Sequence, residues 1–217
     1  MPAFRTVLFD LDGTLLDSVD LIVDSYRHTF RVHGLPLLSR DAILGGLGTP
    51  LRIVFGNMTE DGDQIERWTT TYREYNLAHH DARVRAYPGA VEMVLRLRTA
   101  GCRLGLVTSK NRGGAKRGLA RIGLADAMDV IVGADDVVKP KPHPEPVERA
   151  LRELGMPPQS CLFVGDSQHD IHCGRAAGVW TAGATWGPFD REHLEAVLPD
   201  HYCETPADVL QLVGVAE

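Results

Sequence analysis

Short apolar runs that stop abruptly at an acid or a hydroxyl residue alternate along this chain with stretches whose apolar residues recur every three or four positions. Arg5-Thr6-Val7-Leu8-Phe9 reads as a buried strand that ends at Asp10. Similar runs at Arg103 to Val107, Val130 to Val132, Cys161 to Val164 and Val179 to Ala182 predict further strands. Helical spacing predicts helices near 89–100, 112–122, 144–154 and 168–177. Strand and helix in alternation predict an α/β fold built on a doubly wound, Rossmann-like parallel sheet.

One segment breaks this rhythm. From about residue 17 to 85 the pattern is helical throughout, without a convincing strand. Val19, Ile22, Val23, Tyr26 and Phe30 fall on one helical face behind Asp17 and Ser18, two candidate N-caps. The longest helical pattern runs from about Asp63 to His80; its Trp68, Tyr72 and Tyr75 suit a small core, and His79-His80 suits a solvated helix end. The sheet pattern resumes after the breaker Tyr87-Pro88-Gly89. The expected division is therefore 1–15 with the first strand, 16–86 as an all-helical insert, and 87–217 as the remainder of the sheet. Lys139-Pro140-Lys141-Pro142-His143-Pro144-Glu145-Pro146 reads as a stiff loop, because proline fixes φ and removes amide donors.

Composition narrows the picture by exclusion. Hydrophobic residues make up 44% and charged residues 24% of the 217, close to globular averages, which excludes a disordered or collagen-like chain. Lys plus Arg number 23 against 29 Asp plus Glu, a net charge of −6, which argues against nucleic acid or a membrane surface as partner. The opening MPAFRTVLFDLDGTLL is not expected to act as a secretion signal, since Asp10 and Asp12 interrupt its apolar run. No apolar run reaches the roughly 18 residues needed to span a bilayer. Cys102, Cys161, Cys173 and Cys203 include no CxxC pair and suit buried thiols in a reducing cytoplasm.

The acids at the strand ends carry the chemistry. Asp10 and Asp12, two residues apart in extended backbone, project to one side at the carboxyl edge where open α/β sheets bind ligands. Such a pair suits a carboxylate nucleophile beside a proton-carrying partner, though a strand ending in a solvated Asp-Gly turn has the same spacing. Leu162-Phe163-Val164-Gly165-Asp166 ends a second strand in an acid, and Asp170 follows four residues later. Three acids from two strand ends form a hard oxygen set suited to Mg²⁺. Thr108-Ser109-Lys110 offers a hydroxyl and amides to a phosphate, or a turn capping the next helix. Lys141 offers a fixed positive charge, or a solvated surface lysine. His169-x-x-His172-Cys173 has metal-ligand spacing that arises often by chance.

Taken together, Asp10-Leu11-Asp12-Gly13-Thr14, Thr108, Lys141 and Gly165-Asp166 with Asp170 resemble, in order, the four motifs of the haloacid dehalogenase superfamily. The resemblance is to its phosphatase branch with a small helical cap, and it covers nearly the whole chain. It implies Asp10 as nucleophile and Mg²⁺ ligand, and Asp12 as general acid/base whose backbone carbonyl also reaches the metal. It implies Thr108 and the Ser109 amide on the phosphoryl group, Lys141 neutralising Asp10 and the transferring oxygens, Asp166 on Mg²⁺, and Asp170 orienting water of the metal's shell. Lys141 is preferred to Lys139 because Lys141-Pro142-His143-Pro144-Glu145 is similar to the family's Lys-Pro-x-Pro-acid pattern. A phosphoryl transition state disperses charge and needs positioning and cations above all, in keeping with these roles.

The function implied is Mg²⁺-dependent hydrolysis of a small phosphorylated metabolite through an aspartyl-phosphate, in the manner of the phosphoglycolate phosphatases and the similar pyrophosphatases. A phosphomutase of the β-phosphoglucomutase kind shares the motifs. Dehalogenation needs no acid at position 12, and a non-enzymatic binding module needs none of these acids. Substrate choice is expected in the insert, around Gly45-Gly46-Leu47-Gly48-Thr49-Pro50-Leu51-Arg52, where Arg52 either grips an anionic leaving group or lies solvated on a helix.

Overall fold

The computed structural model describes residues 4–215 and sets the first apolar run in the middle of a six-stranded sheet. Its strands are β1 (Thr6–Phe9), β4 (Arg103–Val107), β5 (Val130–Val132), β6 (Cys161–Gly165), β7 (Trp180–Ala184) and β8 (His201–Cys203), ordered β5-β4-β1-β6-β7-β8. Every pairing in this sheet is parallel. Both faces are covered, which is why these strands are apolar on alternate and intervening positions alike. Val7, Phe9, Leu104, Leu106, Leu162 and Val164 turn to one face, under α5 (Ala90–Thr99), α6 (Arg112–Arg121) and α10 (Pro206–Val213). Leu8, Val107, Val132 and Phe163 turn to the other, under α7 (Glu145–Leu154) and α8 (Gln168–Ala176). This is the α/β architecture that the alternation of patterns predicts.

The sheet extends further than expected. β8, the short α9 (Arg191–Glu195) and α10 carry too few periodic residues to stand out in the sequence. β8 pairs with β7 through Gly183↔Tyr202, so its place comes from an existing edge and not from its own pattern. All four cysteines are free and buried. Among the described residues, no helix is long and apolar enough to cross a membrane.

Between β1 and α5 the chain leaves the sheet. It passes through β2 (Leu16–Asp17), then α1 (Val19–Val32), α2 (Arg40–Leu44), α3 (Leu51–Gly56) and α4 (Gly62–Arg83), and returns through β3 (Arg85–Ala86). β2 and β3 pair antiparallel as a two-stranded ribbon that the sequence pattern does not reveal. The helices bury a core of their own in which Tyr26, Phe55 and Trp68 meet edge to face, at centroid distances of 5.9 and 5.7 Å. Tyr72 packs against this core, whereas Tyr75 packs against the sheet's core and stacks on His28 and His79. His80 departs from the expected solvated helix end: it is buried, with Nδ1 2.8 Å from Asp81 Oδ1. Asp81 in turn accepts two hydrogen bonds from Arg117 of α6 and ties α4 to the sheet's side.

Candidate active site

The strand order turns back on either side of β1, so the chain diverges at its carboxyl end and leaves a crevice there. Asp10 follows β1, Thr108 follows β4 and Asp166 follows β6, which brings three motifs to one edge. Asp170 joins them from the first turn of α8, where the Ser167 amide and hydroxyl both donate to its Oδ2, at 3.0 and 2.6 Å. Two glycines make this crowding possible. A Cβ on Gly165 would lie 2.4 Å from the Asp170 carboxyl carbon, and one on Gly13, whose φ is +93°, would lie 2.2 Å from Asp166 Oδ2.

Asp10, Asp166 and Asp170 each offer an oxygen within 4.8 Å of the others, all of them buried. Lys141 is the cation among them. Its Nζ stands 2.6 Å from Asp170 Oδ1 and 3.0 Å from Asp10 Oδ1, and it also donates to the Val107 carbonyl at 3.3 Å. Burial works against the lysine's charge, but Asp10 and Asp170 more than offset it and raise its pKa, so Lys141 stays protonated. Lys139 lies outside the cluster, its amide bound by Glu145.

One ammonium does not balance three carboxylates. Burial, less the effect of Lys141 and with that of Asp170 added, raises Asp10 to about 7. Burial, then Asp170 and Asp10, push Asp166 well above the usual carboxylate range. Asp166 Oδ1 accepts from Thr14 at 2.8 Å, but its buried Oδ2 has no hydrogen-bond partner among the described residues. A crowded all-oxygen set with an orphaned acceptor fits a hard divalent cation such as Mg²⁺.

These shifts set a pH dependence. Between about pH 4 and 7 the folded, metal-free chain binds protons on Asp10 that the unfolded chain has released. The contribution of these acids to stability therefore falls as pH rises through that window. Mg²⁺ should replace the protons, so the gain in Tm on adding Mg²⁺ should be larger at pH 8 than at pH 5. Thermal melts in EDTA and in Mg²⁺ at the two pH values measure this; equal gains would count against the acids as the metal's ligands.

Asp12 stands apart from the other acids. Its carboxylate accepts from Ser18 Oγ at 2.5 Å and from Lys110 Nζ at 2.8 and 2.9 Å. Of the four acids proposed for the metal, Asp12 is thus the one whose side chain is not in the cluster, leaving only its carbonyl for that role. Ser18 stands at the N-cap position of α1 as expected, but its hydroxyl donates to Asp12 instead of capping the helix. Thr108 Oγ1 accepts from the Lys110 amide at 3.2 Å, and the Ser109 hydroxyl donates to the Gly48 carbonyl across the crevice. His169 Nε2 lies 3.3 Å from Thr49 Oγ1, and the metal-binding group found among the described residues does not include it.

Above these residues opens a cleft of about 780 Å³ between the sheet edge and the helices of residues 18–84. Asp10, Asp12, Thr108, Ser109 and Lys110 form its floor, and Arg52 lies on its wall. Arg52 is exposed and pairs with Glu66 of α4. Exposed pairs of this kind contribute at most about 1 kcal/mol, so little opposes a turn toward an anion in the cleft. The sequence alone pointed to no role for Lys110, for Thr14 on Asp166, or for Trp186, whose indole N–H donates to the Thr14 carbonyl at 2.9 Å. The partners of Lys110 and Trp186 are 98 and 172 residues away, beyond any local pattern.

Residues 7–184 match the family model of haloacid dehalogenase-like hydrolases. Among curated relatives, the pyrophosphatase PpaX of Anoxybacillus flavithermus is 40% identical over 211 residues, 97% of each chain. The PpaX of Oceanobacillus iheyensis is 39% identical over 212 residues, 98% of each. Among solved structures, a predicted phosphoglycolate phosphatase from Haemophilus somnus superposes with a TM-score of 0.88 at 26% identity, covering 98% of this chain and 99% of the other.

Proposed function

The chain belongs to the haloacid dehalogenase-like hydrolase family and is a phosphatase, and on that premise we propose that it splits inorganic pyrophosphate through a phosphoryl group carried on Asp10. The observation that carries the chemistry is the buried contact of Asp10 with Lys141 at the floor of the cleft, 3.0 Å long, beside two further acids. The substrate rests on the shared name of relatives about 40% identical over nearly the full chain. A second reading, 2-phosphoglycolate, is favoured by the fold match to the Haemophilus somnus protein and retains Arg52 as a partner for the carboxylate.

Bound at Asp10, Asp166 and the Asp12 carbonyl, with Asp170 beside them, Mg²⁺ would draw negative charge from the phosphoryl oxygens. The chain's own groups do the rest. A carboxylate oxygen of Asp10 attacks phosphorus, and the bond to the bridging oxygen breaks with its electron pair on that oxygen. Asp12 gives the bridging oxygen a proton, and orthophosphate departs. Water then attacks the phosphorus held on Asp10 and loses a proton to the Asp12 carboxylate. The bond to Asp10 breaks, and a second orthophosphate leaves. Thr108 and Ser109 hold the non-bridging oxygens, and Lys141 keeps a positive charge at the seat of transfer. Cytoplasmic residence belongs to the same proposal, in keeping with four free, buried thiols.

A hydrolysis screen decides among these readings. With Mg²⁺, kcat/KM for pyrophosphate should exceed that for 2-phosphoglycolate, sugar phosphates and nucleotides. EDTA should abolish turnover, and Ca²⁺ should restore it poorly because it prefers more ligands in looser geometry. A sugar 1-phosphate converted to its isomer without free phosphate would point to a mutase, and preference for phosphoglycolate would replace pyrophosphate by the second reading.

A further inference from the structure

Several cations border the cleft, but their partners differ. Arg52 is engaged by Glu66 and Arg117 by Asp81, both carboxylates outside the reacting group. Lys110 instead holds the acid/base itself, with Nζ on both oxygens of Asp12 and both side chains largely shielded from solvent. Its stem starts directly after Thr108 and Ser109, at the turn where the phosphoryl oxygens dock. Room for that stem comes from the first turn of α6. A Cβ on Gly114 would meet Lys110 Cγ and Cδ at 3.2 and 3.3 Å, and the Asn111 cap at 2.8 Å. Glycine weakens a helix interior relative to alanine, and at Gly114 the space it leaves is filled by the lysine.

With its ammonium on both oxygens of Asp12, Lys110 competes with a bridging oxygen for that carboxyl group. Lysine is a point charge on a flexible four-carbon stem, able to exchange one anion for another nearby without losing its docking turn. We propose that Lys110 is the specificity-determining cation of the site: its ammonium passes from Asp12 to a leaving group that bears its own negative charge, which both binds that group and frees Asp12 to protonate the bridging oxygen. A leaving group without such a charge leaves Lys110 on Asp12 and is turned over less well. The class selected is the phosphate ester or anhydride with an anionic arm, whether phosphate or carboxylate. The inference rests on the assignment of Asp12 as acid/base and extends it to a residue that no sequence motif marks.

Steady-state kinetics of the wild type, Lys110→Met and Lys110→Arg test it, each with saturating Mg²⁺ on pyrophosphate, 2-phosphoglycolate and 4-nitrophenyl phosphate. Lys110→Met should lower kcat/KM for the preferred anionic substrate by roughly tenfold to a hundredfold, as loss of a charged hydrogen bond implies. The loss on the aryl phosphate should be at least about tenfold smaller, and Lys110→Arg should recover part of the lost KM. Equal losses on all three substrates would show that Lys110 merely holds Asp12 in place and overturn the proposal, as would no loss on any. Thermal melts establish that the variants are folded, and Lys110→Gln, which keeps a hydrogen bond to Asp12, replaces Lys110→Met should that variant not fold. A wild type active on phosphoglycolate but not on pyrophosphate overturns the pyrophosphate reading alone, because the ratio of phosphoglycolate to aryl phosphate still decides the role of Lys110. A wild type inactive on both overturns both.

Discussion

Asp10→Asn is expected to lower kcat by roughly 10⁴-fold or more while leaving the fold intact. The amide has the shape of the carboxylate but is a far poorer nucleophile toward phosphorus, and removal of a covalent catalyst costs effects of this order. The fold should survive because burial already disfavours the charge on Asp10, so a neutral group of the same shape is tolerated there. Turnover of an aryl phosphate, together with a thermal melt, checks both halves. A folded Asp10→Asn protein working at a tenth of the wild-type rate would falsify the covalent role.

Lys141→Met should damage stability and rate together. It removes the ammonium that touches Asp170 at 2.6 Å and Asp10 at 3.0 Å, and leaves two buried acids without their cation. Breaking a buried pair from one side typically costs about 3–5 kcal/mol, and loss of a preorganised charge at the reacting centre costs about 10²–10³ in rate. The sign of the pH dependence follows from the acids. Asp10 takes up a proton as pH falls below about 7 and then needs Lys141 less, so the stability loss should shrink toward pH 5 and be greatest near pH 8. Urea unfolding in EDTA at the two pH values measures it. A loss independent of pH would mean that Lys141 matters for packing and not for charge.

The parts of this site that were legible in the sequence share one physical origin. Asp10, Thr108 and Asp166 each end an apolar run, and a buried parallel strand is the easiest element to read because neither face is polar. Asp170 was legible through its spacing from Asp166, and Lys141 through the prolines around it. What stayed hidden depends on contacts between distant residues. β2 and β3 have two residues each, too few for alternation to show. His80 has the look of a solvated helix end, yet it is buried beside Asp81, which Arg117 holds from α6. Ser18 and Lys110 look like an ordinary cap and an ordinary loop lysine, and only the fold turns both toward Asp12.

The ribbon of Leu16–Asp17 and Arg85–Ala86 bears on how such enzymes diversify. The chain departs from the sheet and re-enters it at two hydrogen-bonded neighbours, Leu16↔Ala86 and Asp17↔Arg85. Length added or lost between two touching points moves neither Asp10 before them nor Thr108, Lys141 and Asp166 after them. Mutation and recombination within residues 18–84 can therefore rewrite what covers the leaving group while inheritance keeps the phosphoryl chemistry unchanged. A gene duplicated and altered only in that stretch starts with a working reaction and searches for a new substrate. The crossover points most tolerant of exchange between relatives should lie at these two short strands, with Ser109 to Gly48 and Asp81 to Arg117 as the contacts a transplanted segment must re-form.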